Sequence, residues 1–167
     1  EEMTRFNNDP SSFLNGIVNT DDTGLIGYSM GGYGAINVVG AGYHKNAINS
    51  FKAMSKGSTA ITQRVMGDPE FEKSIDPRIK AVVGFAPWGK NHGVWDSIGL
   101  AGIKVPTFFI SGSMDDISGY ENGVKAIYDG AINSDRYLLT YLNARHSIAS
   151  NPPPPESLAE GLNIDEY

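Results

Sequence analysis

Apolar residues in this chain gather in short runs separated by polar and glycine-rich stretches, and the runs come in two kinds. Leu25-Ile26-Gly27-Tyr28 is too short for a helix and predicts a buried parallel strand. Residues 30–39, rich in small and apolar side chains, predict a helix lying close on a sheet, with Gly40 and Gly42 as its stop signals. Residues 79–86 (I-K-A-V-V-G-F-A) predict a second strand that Pro87 ends. Val105-Pro106 launches a third over residues 107–111, residues 119–128 have a helical pattern, and residues 136–142 (R-Y-L-L-T-Y-L) predict a last strand.

The stretches between are less regular. Residues 1–14 are polar, with Asp9-Pro10-Ser11-Ser12 as a turn or helix-start signal, and residues 16–24 read as a loop. Residues 43–78 mix Lys, Asn, Ser and Gly with short apolar pieces and predict an inserted helical excursion, a small cap-like element in which Gly67-Asp68-Pro69-Glu70 opens a helix. Pro152-Pro153-Pro154-Pro155 predicts a polyproline II loop in the tail.

Strands alternating with helices mean βαβ units and a mostly parallel sheet, an α/β fold. Only about four strands are encoded, where an ordinary sheet has ~5–6. The chain opens Glu1-Glu2-Met3 rather than at a Met. Both features lead us to expect residues 1–167 to form one partial domain, the C-terminal half of something larger.

Composition narrows the function. With 13 Lys and Arg against 19 Asp and Glu, the net charge of the 167 residues is −6, which argues against a nucleic-acid partner and its basic footprint. The chain has no Cys, which excludes disulfides, a thiolate metal site and a cysteine nucleophile together. No apolar run approaches the ~18 residues of a membrane span. Neither an H-E-x-x-H nor a D-x-D-x-D-G pattern occurs, so metal chemistry has no signature here and no cofactor is implied. Localisation stays open.

One motif carries chemistry. Gly27-Tyr28-Ser29-Met30-Gly31 fits G-x-S-x-G, and it falls between a predicted strand and a predicted helix, the context in which that motif presents a nucleophile. A serine on so sharp a turn needs small neighbours two residues away, and Gly27 and Gly31 supply them. A Gly-rich turn that only packs a helix on a strand would look similar, so partners must decide. Serine needs a base, and the base needs an orienting group. Of the three histidines, His44 and His92 precede the best acid, whereas His146 follows the last strand. Ser111-Gly112-Ser113-Met114-Asp115-Asp116 follows the third strand directly, with Asp115 the preferred acid and Asp116 the alternative. Asp96, in a loop with no clear strand before it, is weaker. Trp88 and Trp95 frame a Gly/Asn loop and predict either an aromatic wall for substrate or core packing.

These pieces together resemble the α/β-hydrolase superfamily, and within it the dienelactone hydrolase-like esterases close to cutinase-like polyester hydrolases. The resemblance rests on Gly27 to Gly32, on Pro77-Arg78-Ile79-Lys80-Ala81-Val82-Val83 leading into Ala86-Pro87-Trp88, on Val105-Pro106-Thr107 leading to Gly112-Ser113-Met114-Asp115, and on Ala144-Arg145-His146-Ser147. It implies a serine esterase with Ser29 as nucleophile, Asp115 as acid and His146 as base. It also implies that the Met30 N–H forms half of an oxyanion hole and that Trp88 lines a substrate-binding cleft. The family's first strands and the loop giving the second oxyanion donor lie upstream of the elbow. The chain alone is therefore expected to be inactive, with the outer edge of its first strand unpaired and Ser29 unusually exposed.

The substrate so implied is a small-molecule or polymeric ester. Two other functions share these features: a serine peptidase of the prolyl-oligopeptidase type, and a non-catalytic binding protein on a hydrolase fold. The presence of all three triad candidates disfavours the second.

Overall fold

The computed structural model describes residues 2–149; the predicted polyproline loop lies outside them. Four strands, β1 (Thr23–Tyr28), β2 (Ile79–Phe85), β3 (Thr107–Gly112) and β4 (Arg136–Tyr141), form one sheet in the order β1-β2-β3-β4, every pair parallel. The predicted strands match these to within two residues at each end, β1 starting two residues before the predicted Leu25. Parallel neighbours put all four carboxyl ends on one edge of the sheet, where the connecting loops carry Ser29, Trp88, Asp115 and His146.

Helices join and cover the strands: α1 (Glu2–Asn8), α2 (Met30–Val38), α3 (Lys45–Met54), α4 (Pro69–Lys73), α5 (Ser97–Leu100) and α6 (Lys125–Gly130). Helix α1 was not predicted. None of its residues is buried, so it has no apolar stripe for periodicity to reveal. The excursion over 43–78 contains α3 and α4, each with a capped start. His44 Nδ1 accepts from the Asn46 N–H, and the Asp68 side chain accepts from the Glu70 N–H ahead of Pro69.

The core lies on one face of the sheet, where Ile36 of α2 and Val39 just after it pack with Val82, Phe109, Trp95, Leu100, Ile103 and Ile127. The opposite face is different. Ile26, Val83, Phe108 and Tyr137 stand in one register row across all four strands, and Ile26 (76% exposed), Phe108 and Tyr137 remain open to solvent. Among the described residues β1 pairs with a strand on one side only, as expected for the first strand.

Candidate active site

Ser29 sits on the turn from β1 into α2, with φ 52° and ψ −113°, a conformation that costs a non-glycine residue ~1–3 kcal/mol. Three backbone hydrogen bonds hold it there. Its N–H donates to the Phe85 carbonyl at 2.9 Å, and its carbonyl accepts from the N–H groups of Tyr33 (3.0 Å) and Trp88 (3.2 Å). Crowding explains the glycine that precedes it: a Cβ on Gly27 would land on the Gly31 carbonyl oxygen. A Cβ on Gly31 would meet nothing within 4 Å, so of the two motif glycines only Gly27 is sterically required. Gly32 is a further tight position, its would-be Cβ lying 2.9 Å from Pro87 Cβ.

The sheet edge brings three candidates together. Ser29 Oγ is 3.0 Å from His146 Nε2, and His146 Nδ1 is 3.0 Å from both carboxylate oxygens of Asp115. A carboxylate only accepts, so the proton of a neutral imidazole belongs on Nδ1, leaving Nε2 as acceptor for the serine proton. Ser29 is half-buried rather than unusually exposed, because the imidazole stands within hydrogen-bonding reach of its hydroxyl. Met30 opens α2, so its N–H is among the helix's first donors, which have no intrahelical partner. Those donors and the positive end of the helix lie beside Ser29.

Asp115 is tied down from its own loop. Its Oδ1 accepts from the N–H groups of Ile117 (3.0 Å) and Ser118 (2.8 Å). Burial pushes its carboxyl up, but the His146 hydrogen bond and those two N–H groups outweigh burial and hold it below the ordinary carboxylate value. Ser118 continues the chain of contacts, its Oγ donating to the carbonyl of Ala86 at 2.7 Å. Asp116 points elsewhere: its carboxylate pairs with the Arg145 guanidinium, whose hydrogen bond holds it low. The close approach of the β3 and β4 loops depends on Gly112, where a Cβ would strike the Ala144 and Arg145 carbonyl oxygens.

The other sequence candidates divide. His44 caps α3, and Asp96 caps α5 by accepting from the Gly99 N–H. His92 is exposed and stacks on Trp88, ring centroids 4.5 Å apart. Trp95 belongs to the core, 1% exposed with its indole N–H on Asn37 Oδ1. Trp88 is half-buried and lines a cavity of about 580 Å³ beside the elbow, with Met30, Tyr33 and residues of α3. Tyr28 went unnoticed in the sequence. Its hydroxyl donates to the His146 carbonyl, a partner 118 residues away that no local pattern marks. Among the described residues, no group of three or more His, Cys, Asp or Glu is arranged to hold a metal ion, and no helix is long and apolar enough to cross a membrane.

No family model and no curated protein sequence matches the chain. Among solved structures it is similar to an esterase domain from Rhodothermus marinus, with 14% identity over 76% of this chain and 52% of that one, at a TM-score of 0.45. It is also similar to a monoacylglycerol lipase from Paleococcus ferrophilus, with 13% identity over 87% of this chain and 67% of that one, at a TM-score of 0.47. The chain thus spans about half the length of the esterase domain. With likeness this distant, the site geometry carries the functional reading.

Proposed function

We propose that this chain bears the catalytic residues of a serine hydrolase that cleaves carboxylic esters through an acyl-enzyme, on a fold of the α/β-hydrolase type and the dienelactone hydrolase-like branch. The observation that carries the proposal is the unbroken run of hydrogen bonds from Ser29 Oγ through His146 to Asp115, on loops that three different strands deliver. Ser29 Oγ attacks the ester carbonyl carbon as His146 Nε2 takes its proton. Asp115 keeps Nδ1 protonated and stabilises the imidazolium as it forms. The tetrahedral oxyanion rests against the Met30 N–H at the start of α2; losing one such donor typically costs ~10²–10³ in rate. His146 then protonates the leaving alkoxide, and water, activated by the same imidazole, releases the acid. Trp88 borders the substrate, and the excursion over 43–78 acts as a small cap whose helix α3 walls one side of the cavity.

A fluorophosphonate probe tests the reading. It should modify the chain once, at Ser29, and leave Ser29→Ala unmodified. An adduct on another serine, or equal labelling of Ser29→Ala, would remove Ser29 as nucleophile.

A further inference from the structure

The cavity beside Ser29 is largely apolar, and its polar lining comprises Tyr33 and Tyr43 together with His44, His92, Asn46 and Ser50. No Lys, Arg, Asp or Glu contributes to its walls. Phe51, Met54 and Ile61 from the 43–78 excursion line it together with Trp88 and Val94. At about 580 Å³ it is the size of a small-molecule site rather than a packing defect. Neither Ser29 nor His146 lines it, but it adjoins Ser29 through the backbone. Met30 follows the nucleophile directly, and the N–H groups of Tyr33 and Trp88 both donate to the Ser29 carbonyl.

Proton bookkeeping on its polar wall decides what it can take. The buried Trp95 indole N–H donates to Asn37 Oδ1 at 2.9 Å, which turns the amide so that Nδ2 donates to Tyr43 Oη at 3.0 Å. Tyr43 Oη and Tyr33 Oη lie 2.5 Å apart. The two phenols own two protons, and one lies in the bond between them. The other finds no acceptor among the described residues, and both tyrosines line the cavity. Either hydroxyl can donate in that bond; because Tyr43 is buried and already accepts from Asn37, we assign it as the donor, which leaves the spare proton on the half-buried Tyr33. A phenol O–H facing an apolar cavity is a donor waiting for an acceptor, and leaving it unpaired against a ligand is costly.

We infer that this cavity binds the apolar, aromatic-sized half of an uncharged ester, and that Tyr33 selects for a neutral acceptor oxygen, a ketone or ether, carried on that half. This deepens the hydrolase reading and rests on it for the word ester. A carboxylate on the same group would find no Lys or Arg in the lining to offset its burial. Trp88, stacked on His92 and edge-on to Tyr33 at 5.8 Å between centroids, supplies the flat wall.

Three probes of one size separate the contributions: acetophenone, with a neutral acceptor; ethylbenzene, with none; and benzoate, charged. NMR titration of the 167-residue chain should give acetophenone a Kd about fivefold lower than either of the others, the scale of one neutral hydrogen bond. In Tyr33→Phe, which keeps the ring, acetophenone should weaken to the level of ethylbenzene while ethylbenzene is unchanged. In Ala47→Phe, which fills the cavity from α3, both neutral probes should weaken together. Equal binding of all three probes, tightest binding of benzoate, or an acetophenone affinity indifferent to Tyr33→Phe overturns the proposal. So does full affinity in Ala47→Phe. Fluorophosphonate labelling of Ser29, run in parallel, keeps the two readings apart. Labelling without probe binding sinks the cavity assignment alone. Tyr33-dependent probe binding without labelling sinks the hydrolase reading and leaves the cavity as a site for neutral aryl ligands.

Discussion

The ring of Tyr28 stacks on the imidazole of His146, centroids 5.4 Å apart and planes 29° from parallel, while its hydroxyl donates to the His146 carbonyl at 3.0 Å. One side chain therefore holds both the ring and the backbone of the proposed base. Tyr28 is the last residue of β1 and the immediate neighbour of Ser29, so the contact fixes the histidine loop directly against the nucleophile.

Removing only the hydroxyl isolates that role. Tyr28→Phe keeps the stack and loses one hydrogen bond, worth about 1 kcal/mol. We expect Ser29 to react with a fluorophosphonate about fivefold more slowly, with probe affinity unchanged. Tyr28→Ala, which loses the stack as well, should be slower again. A rate in Tyr28→Phe equal to the parent's would assign the contact to packing alone.

The two adjacent carboxylates should separate sharply. Asp115→Asn leaves the geometry but offers His146 Nδ1 an amide in place of an acceptor-only group, and labelling of Ser29 should slow by ~10⁴. Asp116→Asn breaks an exposed pair with Arg145, an interaction of a kind worth ~0–1 kcal/mol, and should change the rate by less than threefold. Comparable losses in both variants would contradict the geometry.

Opposite signs are expected at the two motif glycines. Gly27→Ala puts a methyl group onto the Gly31 carbonyl and should destabilise by about 3 kcal/mol, the upper end of overpacking costs. For a chain of this length that lowers Tm by roughly 6–12 °C. Gly31→Ala enters open space on a helix, where alanine is favoured by up to ~1 kcal/mol, and should raise Tm slightly. Thermal unfolding of the two variants decides it.

Alkaline pH should reveal the buried phenol. Burial, and then the hydrogen bond to Tyr33, pushes the Tyr43 hydroxyl far above its ordinary value. Folding therefore holds this proton more tightly than the unfolded chain does. Its contribution is complete below about pH 10, the ordinary phenol value, and is lost as pH rises beyond it. Urea unfolding at pH 8 and pH 11 should show the parent losing more stability than Tyr43→Phe. Equal losses would mean that Tyr43 ionises as freely folded as unfolded.

Local rules were sufficient for the scaffold. Four apolar runs became four parallel strands because a run of about six residues flanked by turn formers has few other ways to bury itself, and the serine between β1 and α2 was legible because G-x-S-x-G encodes a backbone bend. Helix α1 escaped because its pattern carries no buried stripe.

What the sequence by itself determined, then, is the strand–turn–helix frame and the order serine, acid, histidine along it. Only the tertiary structure decided which neighbour does which job. Asp115 and Asp116 are alike in composition and flank, and the turn that hands Asp115 two N–H groups aims it inward while Arg145 draws Asp116 out. Trp88 and Trp95 look equivalent along the chain, yet Asn37, far away in sequence, takes Trp95 into the core. The contacts of Tyr28 with His146 and of Tyr33 with Tyr43 are set the same way. Short-range propensity acts through each residue's own backbone, whereas a side chain's role depends on partners that only the assembled sheet brings within 3 Å of it.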